Sequence, residues 1–366
     1  MPRSLRTPGP TPLPPRVRAA LAREMINHRG PEFAELLRAC TQGLQTLFQT
    51  RNDILILTTS GTGALESAVT NLLSPGERTL AVSIGYFGDR FAEIARTFGA
   101  DVDLLAYPWG EVARPEDVAA RLAADPHIAT VLVTHNETST GVVNDLEEIA
   151  RVVKGAGRLL VVDAISSIGS APLPVDAWGC DVVLAGSQKG WMVPPGLAFV
   201  SVSPEAWERA RGARMPRYYF DWSRARKLAE RGATPWTPAV SLLFALREAL
   251  ALMLDEGLER IHARHLRLAL ATRAGLRRLG IRLFAPDAHA SWTVTSAWVP
   301  EGITGTVLRA RLRDEFDVVV AGGQGAYEET LFRIGHLGFV GDDDVASVLD
   351  ALAKVLAPVA RASRPA

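Results

Sequence analysis

The stretch Asp181-Val182-Val183-Leu184-Ala185-Gly186-Ser187-Gln188-Lys189-Gly190-Trp191 decides how this chain is read. Residues 181–185 are a strand-like run, apolar after the first position, and Gly186 with the polar Ser187 and Gln188 breaks it. Met192-Val193-Pro194-Pro195-Gly196 then turns the chain, and 197–202 is apolar again. Short apolar runs bounded by turn residues mark strands buried on both faces. Lys189 stands just past the end of such a strand. Apolar, tightly turned surroundings desolvate a lysine, lower its pKa and favour the neutral amine, the form that adds to an aldehyde as a Schiff base. A lysine at a strand end is more often simply solvated, so its meaning depends on what the other strands deliver beside it.

Upstream the pattern recurs. Residues 54–57, 79–84, 129–134 and 159–163 read as strands, with helices expected at about 89–98 and 145–153. Apolar runs alternating with helical segments predict an α/β domain whose mostly parallel sheet is covered on both faces. Further on, Leu243, Leu246, Leu250 and Met253 recur at helical spacing, in a pattern that continues weakly to about Leu279. Mixed strands (292–298, 318–320, 331–334) and helices (304–315, 342–356) follow, as in a smaller α+β domain. Six prolines among the first fifteen residues (Pro2, Pro8, Pro10, Pro12, Pro14, Pro15) exclude a helix or central strand there and predict an extended arm lying over something else. The expected division is an arm at 1–18, a large domain at 19–255 and a small domain at 256–366.

Composition narrows the function classes. Forty Lys plus Arg balance forty Asp plus Glu, which removes any electrostatic case for a nucleic-acid or acidic-membrane partner. Two cysteines far apart, Cys40 and Cys180, form neither a disulfide framework nor a metal-type spacing, and point to a reducing compartment. With no apolar leader at residues 1–6, and no long uninterrupted apolar segment, the expectation is a cytoplasmic protein that does not cross a membrane.

The remaining strand ends carry chemistry of their own. Ser60-Gly61-Thr62-Gly63 lies between a strand and a helix, where backbone amides and hydroxyls can cradle an anion. It has neither the P-loop lysine nor the dinucleotide spacing. Tyr86-Phe87-Gly88 offers an aromatic face to a planar ring. His135-Asn136-Glu137-Thr138-Ser139-Thr140-Gly141 forms a polar wall after another strand, and Asp163 closes the next. Taken singly, each has a bland counterpart: a plain turn, a core aromatic, a solvated loop. Together they put phosphate donors, an aromatic, an aspartate and a lysine on one rim. Lysine and aspartate are the pair that pyridoxal phosphate needs, one for its aldehyde and one for its pyridinium nitrogen.

The series Ser-Gly-Thr-Gly-Ala-Leu-Glu (60–66), Tyr-Phe-Gly (86–88), Asn-Glu-Thr-Ser-Thr-Gly (136–141), Val-Asp-Ala-Ile-Ser-Ser (162–167) and Gly-Ser-Gln-Lys (186–189) resembles the class V aminotransferases among the fold-type I pyridoxal-phosphate enzymes. Within them it is most similar to the alanine–glyoxylate, serine–glyoxylate and serine–pyruvate branch. Pro8-Gly9-Pro10-Thr11, Phe48-Gln49-Thr50 and Leu331-Phe332-Arg333-Ile334-Gly335 extend the likeness over nearly the whole chain. The resemblance implies pyridoxal 5'-phosphate as cofactor. Lys189 would hold its aldehyde and later carry the substrate proton, Asp163 would face the ring nitrogen, and Phe87 would stack on the ring. Thr138 would lie beside the phenolic oxygen, Ser60, Gly61, Thr62 and Gln188 would bind phosphate, and Arg333 would clamp the substrate carboxylate. It further implies a homodimer with shared active sites, Thr237 (or, a few residues earlier, Thr234) reaching the partner's phosphate, and a reason for the arm to be ordered across the partner. The reaction implied is ping-pong transfer of an amino group from alanine or serine to glyoxylate or pyruvate.

Other class V chemistries stay in view. A cysteine desulfurase needs a late catalytic cysteine, and none follows Cys180. An aspartate or aminophosphonate transaminase, a kynureninase-like lyase and a catalytically silent cofactor-binding protein share the scaffold. The last has no use for Lys189, Asp163 and Arg333 together. His262 and His265, near Glu259 and among Arg260, Arg264 and Arg267, read as a solvated helix face rather than a metal site. His28 and His336 sit near matched motifs and are candidates to approach the substrate.

Overall fold

The computed structural model describes residues 4–362; Met1, Pro2 and Arg3 of the arm, and residues 363–366, lie outside the described residues. Seven strands build the central sheet, in the order Asp53–Thr59, Gly196–Val202, Val182–Gly186, Leu159–Asp163, Thr130–Thr134, Arg78–Ser83, Asp101–Ala106. Gly196–Val202 is antiparallel to both of its neighbours. The other six strands therefore all point one way, which makes the sheet mainly parallel.

Alternation within the apolar runs explains the two covered faces. Val131, Val133, Leu160, Val162, Val183 and Ala185 join one core, under helices Pro31–Phe48, Leu146–Gly155 and Val240–Glu256. Leu132, Val161, Val182 and Leu184 point the other way, under helices Gly61–Leu72 and Tyr86–Thr97. Successive side chains on a strand face opposite sides, so a continuous apolar run is what a doubly covered strand requires. Each such Val or Leu contributes about 1.5–3 kcal/mol of burial.

Several elements went unanticipated, among them helices Pro31–Phe48, Pro115–Ala124, Pro204–Gly212 and Trp222–Ala229 and the edge strand Asp101–Ala106. The expected long helix is broken as well. Gly257, at φ 81°, separates Val240–Glu256 from Leu258–Arg278, and a positive φ is where glycine is at home. Beyond the break, strands Val294–Trp298, Leu331–Gly335 and Ala321–Gly322 form an antiparallel sheet. A separate cluster including Leu276, Leu308, Leu312, Phe332, Ile334, Val348 and Leu352 fills the space between that sheet and its helices.

The arm is docked on its own chain. Ser4–Leu5 pairs in parallel with Val318–Val319, and helix Pro15–Ala20 begins at Pro15, a first-turn position that needs no amide hydrogen. Between these anchors the chain crosses the rim of the central sheet, where it meets Lys189. Residues 6–11 of the arm thus have contacts within their own chain. His265 also departs from expectation. It is buried, with Nδ1 2.7 Å from the Ile261 carbonyl and Nε2 accepting from the Gly338 amide at 3.0 Å, so it pins its helix to a turn instead of facing solvent. No helix among the described residues is long and apolar enough to cross a membrane.

Candidate active site

Because six strands share a direction, Thr59, Ser83, Thr134, Asp163 and Gly186 all end on one rim of the sheet. Open α/β sheets bind ligands along that edge. A cleft of about 120 Å³ opens there, lined by Ser60, Gly61, Thr62, Phe87, Thr138, Asp163, Gln188 and Lys189. These are eight of the ten residues singled out from the sequence. Arg90, Asn136 and Ser166 line it too.

Lys189 keeps part of its surface open to the cleft. Desolvation lowers its pKa to about 8, the nearby Arg333 guanidinium pushes the same way, and Asp163 opposes both. Asp163 is buried, its Oδ1 accepts from the Ile165 amide at 3.0 Å, and burial lifts its pKa to about 7. Glu137 raises it further, while Lys189 and Arg90 pull it down. The carboxylate is thus short of a cation at close range.

The anion cradle is built by the helix that starts at Gly61. Ser60 caps it, its hydroxyl accepting from the Gly63 amide at 3.3 Å. Helix starts leave their first amides without intrahelical partners, and these face the cleft side. Gln188 adds a buried side-chain oxygen with no partner among the described residues.

Phe87 is placed by a residue whose role the sequence did not reveal. Glu137 is fully buried, and Oε2 accepts from the amides of Phe87 (3.0 Å) and Gly88 (3.1 Å). Its Oε1 accepts from the Ser139 amide (3.0 Å) and hydroxyl (2.6 Å). Helix Tyr86–Thr97 has no side-chain cap of its own, so a carboxylate from the neighbouring loop takes that place. Arg90 was also missed. Its guanidinium carbon lies 5.0 Å from the ring centres of both Tyr86 and Phe87, and Nη1 donates to Thr62 Oγ1 at 3.4 Å. Only its i+3 spacing from Phe87 on one helix face pointed to it.

Arg333 does not line the small cleft, but its electrostatic reach to Lys189 places it alongside. Nε donates to the Gly322 carbonyl (2.7 Å), and Nη1 to the Thr138 carbonyl (2.9 Å) and Gln324 Oε1 (3.1 Å). Burial lowers its pKa to about 10, with Glu137 opposing. Thr237 is exposed and away from the cleft of its own chain, and Thr234 bonds the Trp236 carbonyl at 2.8 Å. His336 is turned into the C-terminal part, with Nε2 2.9 Å from Thr295 Oγ1 and Nδ1 3.0 Å from the Trp292 carbonyl. His28 lies in the loop before Pro31 and is not among the cleft residues. Neither histidine is among the residues that line the cleft.

The buried aspartate gives a pH signature with a definite sign. Between pH 3.8 and about 7 the unfolded chain has released the Asp163 proton while the folded chain keeps it, so this residue destabilises the fold as pH rises. The cost by pH 7 is on the order of 4 kcal/mol. Buried neutral His135, His265 and His336, with pKa values lowered to about 4, 3 and 3, act oppositely below pH 6.5. The expected result is therefore a difference: in cofactor-free protein, the melting temperature of Asp163→Asn gains on the unmodified chain from pH 4 to 7. Parallel curves would contradict a desolvated Asp163.

The family model described as Aminotransferase class-V matches residues 7–335. A protein of Synechococcus sp. named soluble hydrogenase, small subunit, is 47% identical, over 96% of this chain and 92% of its own. L-aspartate–glyoxylate aminotransferase of Paracoccus denitrificans is 38% identical, over 92% of this chain and 86% of its own. Alanine–glyoxylate aminotransferase from Nostoc sp. superposes with a TM-score of 0.94 at 32% identity, covering 97% of this chain and 96% of that one. The rim residues and these likenesses coincide over the same span, and the chain belongs to the class V aminotransferases as a pyridoxal-phosphate-dependent transaminase.

Proposed function

We propose that the cleft binds pyridoxal 5'-phosphate and that the enzyme moves an amino group from a small amino acid, alanine or serine, to glyoxylate or pyruvate. The observation that carries this reading is the convergence of Lys189, at a pKa of about 8, with a cation-deficient Asp163 beside an open helix start. The donor set fits the group. The first-turn amides suit a phosphate, Asp163 suits a protonated ring nitrogen, and Lys189 suits an aldehyde.

When bound, the cofactor supplies the aldehyde and an electron-withdrawing ring that lets an amino acid lose its Cα proton. The chain's own residues do the rest. Ser60, Gly61, Thr62 and Gln188 fix the phosphate, with Arg90 as an added cation. Phe87, held in place by Glu137, would cover the ring, and Thr138 would lie beside its phenolic oxygen. Arg333 orients the substrate by its carboxylate, and Lys189 takes and returns the proton at Cα, a task that a pKa near the working pH favours. We also propose a cytoplasmic homodimer in which the exposed Thr237 completes the partner's phosphate site, with a small domain beginning near the Gly257 break.

Support for glyoxylate comes from the names of two relatives above, both of which carry it. The Paracoccus relative's name carries aspartate as well, which gives an aspartate donor standing as the second reading. Half-reactions with alanine, serine and aspartate, followed by loss of the cofactor's absorption band, decide between them. Alanine or serine is expected to discharge the band at least about tenfold faster than aspartate, since Arg333 alone is arranged for a carboxylate. A faster reaction with aspartate would replace the first reading by the second. A purified monomer with full activity would remove the shared site.

A further inference from the structure

Residues 7–11 pass directly over the catalytic lysine and are fastened on both sides. On one side the Arg6 amide donates to the Val319 carbonyl (2.8 Å), the Gly335 amide to the Arg6 carbonyl (2.7 Å), and the Arg6 guanidinium pairs with Asp344 (3.1 Å). On the other, the Thr11 amide donates to the Gln188 carbonyl (3.1 Å) and its hydroxyl to the Lys189 carbonyl (3.0 Å). The strap therefore joins the backbone of Lys189 to the strand that carries Arg333.

Its inner edge is shaped to the lysine side chain. Nζ donates to the Pro8 carbonyl at 2.7 Å. Among the described residues no carboxylate lies within ion-pair distance of Nζ, so the strap supplies its hydrogen-bond partner. A Cβ on Gly9 would stand 2.7, 2.8 and 2.9 Å from Lys189 Cδ, Nζ and Cε, and Gly9 has φ +132°, where side chains are strained. Only a glycine lets the strap lie this close.

We propose that the Pro8 carbonyl is a positioning group for transamination: it holds the freed Lys189 Nζ between that nitrogen's two tasks, binding the cofactor aldehyde and moving the substrate proton. This rests on the assignment of Lys189 as the cofactor lysine. Once released, the amine must stay beside the substrate Cα without drifting among rotamers. One N–H directed to Pro8 fixes the nitrogen and leaves its lone pair for the Cα proton. The electron pair of the broken C–H bond stays on carbon, Nζ becomes an ammonium, and the charge strengthens its bond to the carbonyl. The proton later leaves Nζ for the accepting carbon, returning the neutral amine to the same place.

The test uses Gly9→Ala, which forces the strap and the Lys189 side chain apart, and Thr11→Val, which removes one tether at similar size. In the cofactor-free proteins, acylation of Lys189 by acetic anhydride is expected to be at least about threefold faster in both variants, since the strap no longer covers Nζ. In the holoenzymes, the single-turnover rate with alanine falls at least about tenfold for Gly9→Ala, as expected for a proton carrier displaced by about 1 Å. The isotope effect with Cα-deuterated alanine rises in parallel, which a purely structural defect would not produce. Thr11→Ser restores both readouts. Unchanged acylation and an unchanged isotope effect in Thr11→Val, the milder variant, would overturn the proposal. An unmodified protein showing no cofactor band would instead overturn the assignment of Lys189.

Discussion

Lys189→Ala is expected to lower transamination by at least about 10⁴-fold, because the proposed assignment makes one nitrogen both covalent anchor and proton carrier. The loss should come from chemistry rather than folding. The side chain's hydrogen bond runs to the Pro8 carbonyl, and the packing of the strand before it, Val182–Gly186, is untouched. The absorption band that signals attachment to the lysine should be missing, with added cofactor keeping the spectrum of its free aldehyde. A small amine added to the medium should restore part of the turnover, since it replaces the missing base but not its placement. Turnover within tenfold of the unmodified enzyme would remove the central assignment.

Arg333→Ala is expected to raise the KM for the amino acid by about 10²-fold or more, with a smaller effect on the rate at saturation. Its three hydrogen bonds to Gly322, Gln324 and Thr138 spend part of the fork on orientation and aim the remainder. Among the described residues the guanidinium has no carboxylate within ion-pair distance. A buried cation in that state has its strongest interaction still to make, and in the proposed reading the substrate carboxylate would supply it. Arg333→Lys should recover only part of the affinity, because a point charge lacks the planar fork. An unchanged KM in Arg333→Ala would move the carboxylate clamp elsewhere.

The legible part of this chain was the part in which a single residue type has few uses. Val161-Val162-Asp163 and Leu184-Ala185-Gly186 announce buried strands whose ends must carry whatever is polar, so the rim and its eight residues could be placed before any coordinates. The edge strand Asp101–Ala106 was hidden because Asp101 and Asp103 interrupt its apolar pattern. They face Arg78 and Arg121 at the sheet's border, where a polar face is tolerated. Gly257 was overlooked because the apolar spacing on either side carries on as though the helix did. Glu137 and Arg90 depend on three-dimensional proximity: a carboxylate three residues past a strand and a guanidinium one turn past an aromatic have many bland uses. Nothing in the proline-rich arm could say which lysine it would cover.

The pairing of Ser4–Leu5 with Val318–Val319 has a consequence for how the enzyme comes into being. Contacts this distant in sequence are the last that a growing polypeptide can make, since residue 318 must leave the ribosome before residue 4 can find it. The central sheet and Lys189 are complete well before then. By then the partners of Thr11, the Gln188 and Lys189 carbonyls, have long been available. The anchor of the strap at Val319 and Gly335 can be made only once nearly the whole chain is out, so the clasp on residues 7–11 is a product of the finished chain.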